Sequence, residues 1–296
     1  VSTFPTIYGE KIVMRILDKE RMLVGLEQLG FPPSALAAFK KSVQRPNGII
    51  LVTGPTGSGK TTTLYSTLSF VNTIEKNTMT LEDPVEYEIA DINQSQINLK
   101  AGLTFASGLR AILRQDPDII LVGEMRDAET VDVAIRAALT GHLVFSTLHT
   151  NDAVGAIPRL LDMEVNPSLM ASTFIAVVGQ RLVRKICPHC KEITMPDGSL
   201  LQLISLNREK QGKTFYRGKG CMRCFQTGYR GRIGIFEILA VSPAIAQMIT
   251  QRSSSQAILE KAREEGMTTM MEDGIQKAAQ GVTTLDEVIR VAYASL

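Results

Sequence analysis

A glycine-rich segment with one lysine is the part of this sequence whose residue types and spacing point most directly to chemistry. Gly54 to Thr61 fit the pattern G-x-x-x-x-G-K-[ST]. Glycines let successive backbone N–H groups converge on phosphate oxygens, and a helix that begins at the loop directs its positive end at the same charge. We therefore predict a nucleotide site in which Lys60 reaches the β- and γ-phosphates and Thr61 binds Mg²⁺. The predicted phosphate-binding residues are Gly54, Pro55, Thr56, Gly57, Ser58, Gly59, Lys60, Thr61 and Thr62.

A carboxylate near the transferred phosphate is the second requirement of such a site. Glu124 follows an apolar segment and is the candidate for polarising the attacking water. Gly123 stands where P-loop enzymes often carry an aspartate, so we expect the magnesium contact to run through water or another acid. Glu82, Asp83 and Glu86 follow a second apolar segment, and one of them could complete the metal shell or act as the base. For each acid the alternative is a solvated side chain in a surface turn.

Two of the three histidines, His142 and His149, flank one predicted strand. A single histidine is usually structural, whereas a pair around one strand of this sheet favours a γ-phosphate sensor or an interface contact. Both histidines are therefore candidate nucleotide contacts.

The four cysteines form two C-x₂-C pairs. Cys187 with Cys190 and Cys221 with Cys224 can present four thiolates to one tetrahedral Zn²⁺. His189 lies inside the first pair, but four thiolates already complete the ligand set. The alternative is a redox-active pair, which has no need of a second matched pair. We therefore predict a zinc site.

The elements that must position these residues alternate along the chain. Between residues 48 and 147, apolar strands alternate with amphipathic helices, which predicts a parallel α/β sheet with helices on both faces. A segment rich in cysteine and turns follows residue 184 and ends at Gly234. The predicted strands cover residues 48–53, 77–81, 118–122 and 142–147, and the predicted helices cover residues 59–72, 103–114 and 128–139.

The first residues of the chain predict a strand without a partner. Residues 11–17 have the pattern of a β-strand that follows a turn at Tyr8 and Gly9. A lone strand needs partners, so we expect them to precede Val1 in a longer protein. Residues 18–41 then show helical periodicity, interrupted by glycine and proline.

Short helices with well-marked ends are predicted after residue 234. Ser242, which a proline follows, predicts an N-cap, and Thr284 with Glu287 predicts a capping box. Gly266 and Gly281 predict helix ends. These signals indicate a small helical subdomain.

Composition argues against several classes of protein. The 32 Lys+Arg and 30 Asp+Glu residues give a net charge of +2, which offers no global attraction for nucleic acid or an anionic membrane. Aromatic residues make up 5% of the chain and Trp is absent, which argues against a stacking platform for nucleic acid. No apolar run approaches the ~18 residues needed to span a bilayer, and the first residues lack the apolar core of a signal peptide. We therefore expect a cytoplasmic protein without a transmembrane segment.

The order of the motifs resembles that of the secretion ATPase superfamily, the motors of type II secretion and type IV pili. Gly54 to Thr61 resemble its Walker A motif, Thr80 to Glu86 its Asp box, Gly123 to Asp127 its Walker B motif, and Thr140 to Asn151 its His box. Residues 2–15 resemble the end of the domain that precedes the motor, so the likeness covers nearly the whole chain. Pilus retraction motors lack the two C-x₂-C pairs, so the likeness is to the GspE/PilB assembly branch.

This resemblance implies a fold and a division into domains. The fold would be a RecA-like P-loop NTPase core with a mainly parallel sheet, an inserted zinc subdomain with four cysteine ligands and a C-terminal helical subdomain. The resemblance assigns residues 1–20 to the end of a truncated PAS-like domain and a linker, 21–185 to the ATPase core, 186–234 to the zinc-binding segment and 235–296 to the helical subdomain. The motor would therefore occupy most of the chain.

The resemblance also implies an activity, cofactors and partners. The chain would be an ATPase with Mg²⁺ and Zn²⁺, in a homohexameric ring that turns an inner-membrane platform protein and works with other cytoplasmic assembly proteins. Glu124 and the Asp-box acids would be catalytic together with Lys60, and Arg15, Arg110 and Arg114 would be phosphate or interface arginines. A pilus and a secretion pseudopilus stay equally open as its product. A P-loop translocase on nucleic acid, a kinase and a nucleotide sensor without turnover are the alternatives.

Overall fold

The computed structural model describes residues 1–14, 24–195 and 214–292. The strands in these ranges are β1 (Ser2–Thr6), β2 (Gly9–Val13), β3 (Gly48–Thr53), β4 (Thr78–Glu82), β5 (Asn93–Gln96), β6 (Ile119–Val122), β7 (Leu143–Leu148), β8 (Phe174–Ile186), β9 (Lys191–Thr194), β10 (Phe215–Gly218) and β11 (Tyr229–Ala240). Seven of them form one sheet in the order β11-β8-β3-β7-β6-β4-β5. Its neighbouring strands are parallel except for β11, which is antiparallel to β8.

Short α-helices connect and cover these strands. The helices in the described ranges are α1 (Pro33–Val43), α2 (Lys60–Val71), α3 (Phe105–Ile112), α4 (Ala128–Leu139), α5 (Ala156–Asp162), α6 (Pro167–Thr173), α7 (Pro243–Thr250), α8 (Ser255–Glu264), α9 (Met270–Ala279) and α10 (Leu285–Ala292). None of them is both long and apolar enough to cross a bilayer.

Apolar side chains cover the central sheet on both faces. β3, β6 and β7 are buried along their whole length. Because side chains alternate between the faces of a strand, Ile49 and Leu51 of β3 belong to one core cluster and Ile50 and Val52 to the other. Burial on both faces explains why these strands are continuous apolar runs in the sequence. The prediction of an α/β fold with a mainly parallel sheet is confirmed.

The predicted elements between residues 48 and 148 agree closely with the structure. β3 and α4 have the predicted bounds, and the ends of the others differ by one or two residues. Local capping explains part of this agreement, since the Asp127 carboxylate accepts a hydrogen bond from the Thr130 N–H at 2.7 Å and starts α4. β5 was not predicted, because its four residues, Asn93 to Gln96, are all polar.

The N-terminal strand has its partner within the chain. β2 forms an antiparallel hairpin with β1, so the strand is not alone in the chain, whereas further partners before Val1 stay a prediction. β1 escaped prediction because it contains a proline, which is uncommon inside strands. The predicted strand beyond Met14 and the start of the predicted helix, up to residue 23, lie outside the described residues. The helical periodicity up to residue 41 was predicted with a break at glycine and proline, and the structure has a 3₁₀ turn at Leu26–Gln28 and then α1, which begins at Pro33.

β8 and β11, the two strands at one side of the sheet, were not predicted from the sequence. They pair antiparallel along most of their length and carry the hairpin of β9 and β10 between them. β8 runs past residue 185 and β11 runs past residue 234, so both strands cross predicted domain boundaries. The division of the chain into domains therefore stays a prediction, with β11 structurally part of the central sheet.

The C-terminal helices have most of the predicted boundaries. Ser242 caps α7, and Gly266 and Gly281 follow α8 and α9 with positive φ angles. Thr284 accepts a hydrogen bond from the Glu287 N–H at 3.2 Å, which is the first half of the predicted capping box. The second half does not form, because the buried Glu287 carboxylate binds two arginines instead.

Candidate functional site

The phosphate loop connects β3 to α2 at the edge where the parallel strands end. Gly54, Gly57 and Gly59 have φ angles of +151°, +78° and +90°, which residues with a side chain rarely adopt. A Cβ atom on Gly54 would also lie 2.4 Å from the carbonyl oxygen of Gln180. The loop conformation therefore requires glycine where the motif has it.

Lys60 is the first residue of α2 and spans the loop. Its Nζ donates to the carbonyl oxygens of Gly54 and Pro55 at 2.7 and 3.1 Å. Burial lowers the pKa of Lys60, and the Glu124 carboxylate acts in the opposite direction. Ser58 Oγ is buried and has no hydrogen-bond partner among the described residues. A buried hydroxyl left unsatisfied in such a loop fits a site that phosphate oxygens complete.

A cavity of about 740 Å³ opens beside the loop. Its volume is in the range of small-molecule and cofactor sites. Residues 56–62, including Thr61, form one wall. The other charged or titratable side chains that line it include Glu82, Asp83, Glu86, Glu124, Arg126, His149 and Arg232. The structure thus brings the predicted acids to the predicted phosphate loop.

Glu124 lies where β6 ends, and its side chain is 13% exposed. Its carboxylate forms an ion pair with Arg126 and lies 3.6 Å from Nε2 of His149. The strand end is held in place, since Thr147 Oγ1 donates to the carbonyl oxygen of Gly123 at 2.7 Å. A fixed carboxylate beside a phosphate loop has the position of a group that can orient and deprotonate water.

His149 lies at the carboxyl end of β7, within the cavity lining. Burial lowers the pKa of His149, the charge of Lys60 lowers it further, and the Glu124 carboxylate opposes both effects. Because the ordinary pKa of histidine is already about 6.5, this imidazole is neutral at pH 7. Arg126 is consequently the cation that pairs with Glu124 in the cavity.

The Asp-box acids differ in their surroundings. Glu82 is 4% exposed and accepts hydrogen bonds from the Tyr65 hydroxyl, from Thr80 Oγ1 at 2.5 Å and from Gln94 Nε2 at 3.2 Å. Burial raises the pKa of Tyr65, and its bond to Glu82 raises it further, so the phenol stays a donor. These donors contact both oxygens of Glu82 and hold its carboxylate in place, and a catalytic role for Glu82 stays a prediction.

Asp83 and Glu86 are less enclosed than Glu82. Asp83 is exposed and Glu86 is half-buried, and both line the cavity. An accessible carboxylate can bind a metal ion directly or through water. Of the three Asp-box acids, these two are therefore the candidates for a metal contact.

The two histidines lie at opposite ends of β7. His142 precedes β7, whereas His149 follows it, so they are separated by roughly 20 Å along the strand. His142 Nδ1 lies 2.8 Å from the carbonyl oxygen of Ala137, away from the cavity. The expectation that His142 senses phosphate on its own chain is wrong, because parallel strands place only their carboxyl ends at the loop. An interface role for His142 stays a prediction.

Two of the three predicted arginines, Arg110 and Arg114, do not line the cavity. Arg110 lies on α3 and forms an ion pair with Glu129 at 2.5 Å. Arg114 Nη1 donates to the carbonyl oxygen of Arg110 at 3.0 Å. Both lie on the protein surface outside this cavity, and their role as phosphate or interface arginines stays a prediction. Arg15 lies outside the described residues.

Arg126, Arg232 and Gln180 are among the polar residues of the site that were not predicted from the sequence. Arg126 could have been predicted, since it lies two positions after Glu124 in the same turn. Arg232 comes from β11 and Gln180 from β8, and strands that were not predicted could not place them. Long-range pairing of β8 and β11 has no signal in a local pattern.

The cysteines converge on one point between β8 and β11. The four Sγ atoms lie within 4.8 Å of one another, with Cys187 to Cys221 and Cys190 to Cys224 both at 3.9 Å. Four thiolates around zinc at about 2.3 Å would be ~3.8 Å apart at the corners of a tetrahedron. The spacing therefore fits a zinc centre with four cysteine ligands.

Backbone donors complete the cysteine cluster. The N–H groups of Cys221 and Gly228 donate to Sγ of Cys224 at 3.2 and 3.3 Å. Burial opposes ionisation of this thiol, but the donors prevail and lower the pKa of Cys224 to about 6. His189 contacts Arg223 and is not part of the cluster. The donor set is that of a closed structural site, as predicted.

Purified protein should contain about one zinc per chain. Cys221→Ser should abolish zinc binding, whereas His189→Ala should retain it, because Cys221 belongs to the cluster and His189 does not. Elemental analysis of protein purified under reducing conditions checks both variants. A chelator should also increase proteolysis within residues 191–220 while nucleotide binding persists. Zinc-free wild-type protein, or a His189→Ala variant without zinc, would contradict this assignment.

This chain is similar in sequence to a known family and to several known proteins. The pattern of the family described as Type II/IV secretion system protein matches residues 1–290. The type IV pilus assembly ATPase PilB of Thermus thermophilus is 53% identical over 290 residues, which cover 98% of this chain and 33% of PilB. The type II secretion system ATPase E of Vibrio cholerae is 48% identical over 295 residues, which cover 100% of this chain and 58% of the relative. The chain thus spans less than two thirds of these relatives.

Solved structures share the fold. The crystal structure of the pilus retraction motor PilT with bound ADP matches with a TM-score of 0.72 and 30% identity, covering 98% of this chain and 72% of that one. The Legionella pneumophila ATPase DotB matches with a TM-score of 0.66 and 23% identity, covering 92% of this chain and 66% of that one, which shows a common fold alone. The predicted resemblance to secretion and pilus ATPases is confirmed.

Proposed function

Because this chain belongs to the Type II/IV secretion system protein family, we propose that it hydrolyses ATP to ADP and phosphate. The observation that carries this proposal is the position of Glu124, which lines the same cavity as Lys60 and Thr61. A phosphate loop alone can bind a nucleotide, whereas hydrolysis also needs a group that orients water. The two relatives described above are both named as ATPases.

The loop would bind the phosphates of ATP. Backbone N–H groups of residues 56–61 surround the α- and β-phosphates, and the start of α2 adds its positive end. Lys60 releases its carbonyl partners in the loop and contacts the β- and γ-phosphates. Its lowered pKa still leaves an ammonium group near a phosphate, because the anion favours the charged form.

The residues present suit a magnesium ion that accompanies ATP. The Thr61 hydroxyl and the carboxylates of Asp83 and Glu86 supply the oxygen ligands that Mg²⁺ prefers, directly or through water. When bound, the ion neutralises charge on the phosphate oxygens. Glu82 is less available to the ion than these two acids, because it already accepts three hydrogen bonds from neighbouring donors.

Glu124 would accept the proton of the attacking water. Its ion pair with Arg126 on one side and neutral His149 on the other limit the movement of the carboxylate. The oxygen of the water then bonds to the γ-phosphorus as the bond to the bridging oxygen breaks. Arg126 is 64% exposed and can turn toward the phosphate when ATP arrives.

In the whole protein we propose a homohexameric motor for pilus or pseudopilus assembly. Arg110 on α3 and Arg114, two residues past its end, are exposed and can face the nucleotide of a neighbouring chain. An arginine contributed across an interface can raise a phosphate-transfer rate about 10³-fold or more. Loss of the γ-phosphate would release loops at this interface and drive a domain rotation that acts on an inner-membrane platform protein.

Phosphate release by this chain tests the proposal. We expect release that requires Mg²⁺ and forms ADP from ATP. Turnover per chain should rise with protein concentration, because a site shared between chains needs association. Light scattering on the same samples measures the oligomer. Constant turnover per chain in samples that remain monomeric would exclude a shared site.

Other products would point to other functions. ATP binding without release of phosphate would make the chain a nucleotide sensor. A phosphorylated acceptor in place of free phosphate would make it a kinase. Release that occurs only with DNA or RNA would indicate a translocase. Each outcome contradicts the proposed function.

A further inference from the structure

We propose that Gln180 is a positioning residue that orients the phosphate loop, an inference that rests on the proposed ATP hydrolysis. Gln180 lies in β8 and is 2% exposed. The preceding residue, Gly179, pairs with Thr53, the last residue of β3. Gln180 therefore lies beside the point where the chain leaves β3 and becomes the loop.

The side-chain amide of Gln180 uses both of its ends. Nε2 donates to the carbonyl oxygen of Ser58 at 2.8 Å, and Oε1 accepts from Thr63 Oγ1 at 2.8 Å. Ser58 lies two residues before Lys60, and Thr63 lies in the first turn of α2. One buried amide thus joins the loop to the helix on either side of the residues that contact phosphate and metal.

The bond to Ser58 fixes the direction of a phosphate donor. In a trans peptide the carbonyl oxygen and the following N–H point in opposite directions. Because the Ser58 carbonyl points at Gln180, the N–H of Gly59 points away from Gln180. Gly59 has a φ angle of +90°, and a Cβ atom there would lie 2.9 Å from Nε2 of Gln180. The loop is therefore packed directly on the amide that orients it.

Only an amide of this length can make both contacts. Glutamate would accept from Thr63 but would have no donor for Ser58, and lysine would have no acceptor for Thr63. Glutamate would also place a negative charge behind a phosphate site. Gln180 is not among the residues that line the cavity, so it acts through the loop and not on the nucleotide.

Three variants test this role in the purified protein. Gln180→Glu keeps the size and removes the donor, Gln180→Met removes both polar contacts, and Thr63→Val removes one contact from the helix side. Gln276→Glu makes the same chemical change on the exposed face of α9 and is the matched control. The readouts are the Kd for ADP by calorimetry, KM and kcat for ATP, and the unfolding temperature without nucleotide.

We expect a defect in phosphate binding in a folded protein. Gln180→Glu and Gln180→Met should raise the Kd for ADP and the KM for ATP about 10-fold or more, and Thr63→Val about 3-fold. The Gly59 N–H contacts phosphate equally before and during the reaction, so kcat should change less than about 3-fold. Gln276→Glu should leave all three values unchanged. Loss of packing alone would lower the unfolding temperature and would not raise KM while kcat stays nearly constant.

Several results would overturn the role of Gln180. One is an unchanged Kd for ADP in folded Gln180→Glu. Another is a fall in kcat, at constant KM, that is as large as the rise expected for KM in the Gln180 variants. If both Gln180 variants fail to fold, an unchanged Kd for ADP in Thr63→Val overturns it. Failure of the proposed function is distinguishable, because wild-type protein would then bind ADP without hydrolysing ATP. The ADP comparison still decides the role of Gln180 in that case.

Discussion

Glu124→Gln should lower ATP turnover at least ~10²-fold while ATP binding stays close to that of the wild-type protein. Glutamine has the same size and keeps an oxygen that can accept from Arg126, but it cannot take a proton from water. Glu124 is 13% exposed and held between Arg126 and His149, so the substituted amide should occupy the same place. The loss then falls on the chemical step and not on binding.

Single-turnover hydrolysis and ATP calorimetry on the same preparation measure the two effects of Glu124→Gln. Glu260→Gln, an exposed change of the same type on α8, is the control and should behave as the wild-type protein. Near-normal turnover in Glu124→Gln would remove the role of base from this residue. Asp83 and Glu86 would then be the remaining accessible carboxylates in the cavity.

Lys60→Ala should weaken ATP and ADP binding at least ~10²-fold, because it removes a half-buried ammonium group from the phosphate loop. Arg126 and Arg232 also line the cavity, so some attraction for the anion should remain. The substitution also removes the two hydrogen bonds from Lys60 to the loop carbonyls, but the glycines and the contacts of Gln180 should keep the loop in its conformation.

Calorimetry with both nucleotides measures the effect of Lys60→Ala. Lys76→Ala, beyond the end of α2 and exposed, is the matched control. Wild-type affinity in Lys60→Ala would refute the assignment of the loop. A normal unfolding temperature without nucleotide should accompany the loss of binding.

Much of the site could be predicted because it is built from local chemistry. The phosphate loop depends on glycines at fixed offsets, and both glycines of the motif, Gly54 and Gly59, have positive φ in the structure, as does Gly57 between them. Glu124 was found because a buried parallel strand is a continuous apolar run and the next polar residue lies at its carboxyl end. The cysteine pairs were found because zinc fixes their spacing.

Predictions failed where a conclusion depended on which parts of the chain lie side by side. His142 and His149 are equally close to β7 in the sequence, yet the parallel direction of the strand places only His149 at the loop. The hairpin of β1 and β2 escaped because a proline weakens its strand pattern. The cavity acids also could not be ranked, since hydrogen bonds from Tyr65 and Gln94 distinguish Glu82 from its neighbours.

The sequence by itself determined the α/β class, the phosphate loop, the candidate base Glu124 and the four candidate zinc ligands. Each depends on residue types at short spacing, and backbone geometry converts such spacing directly into structure. Only the tertiary structure decided which side chains surround the loop. Gln180 reaches it through the pairing of β8 with β3, and Arg232 through the pairing of β11 with β8, and in both cases the paired residues lie far apart along the chain. Such pairing depends on burial and strand register across the whole sheet, which no local pattern contains.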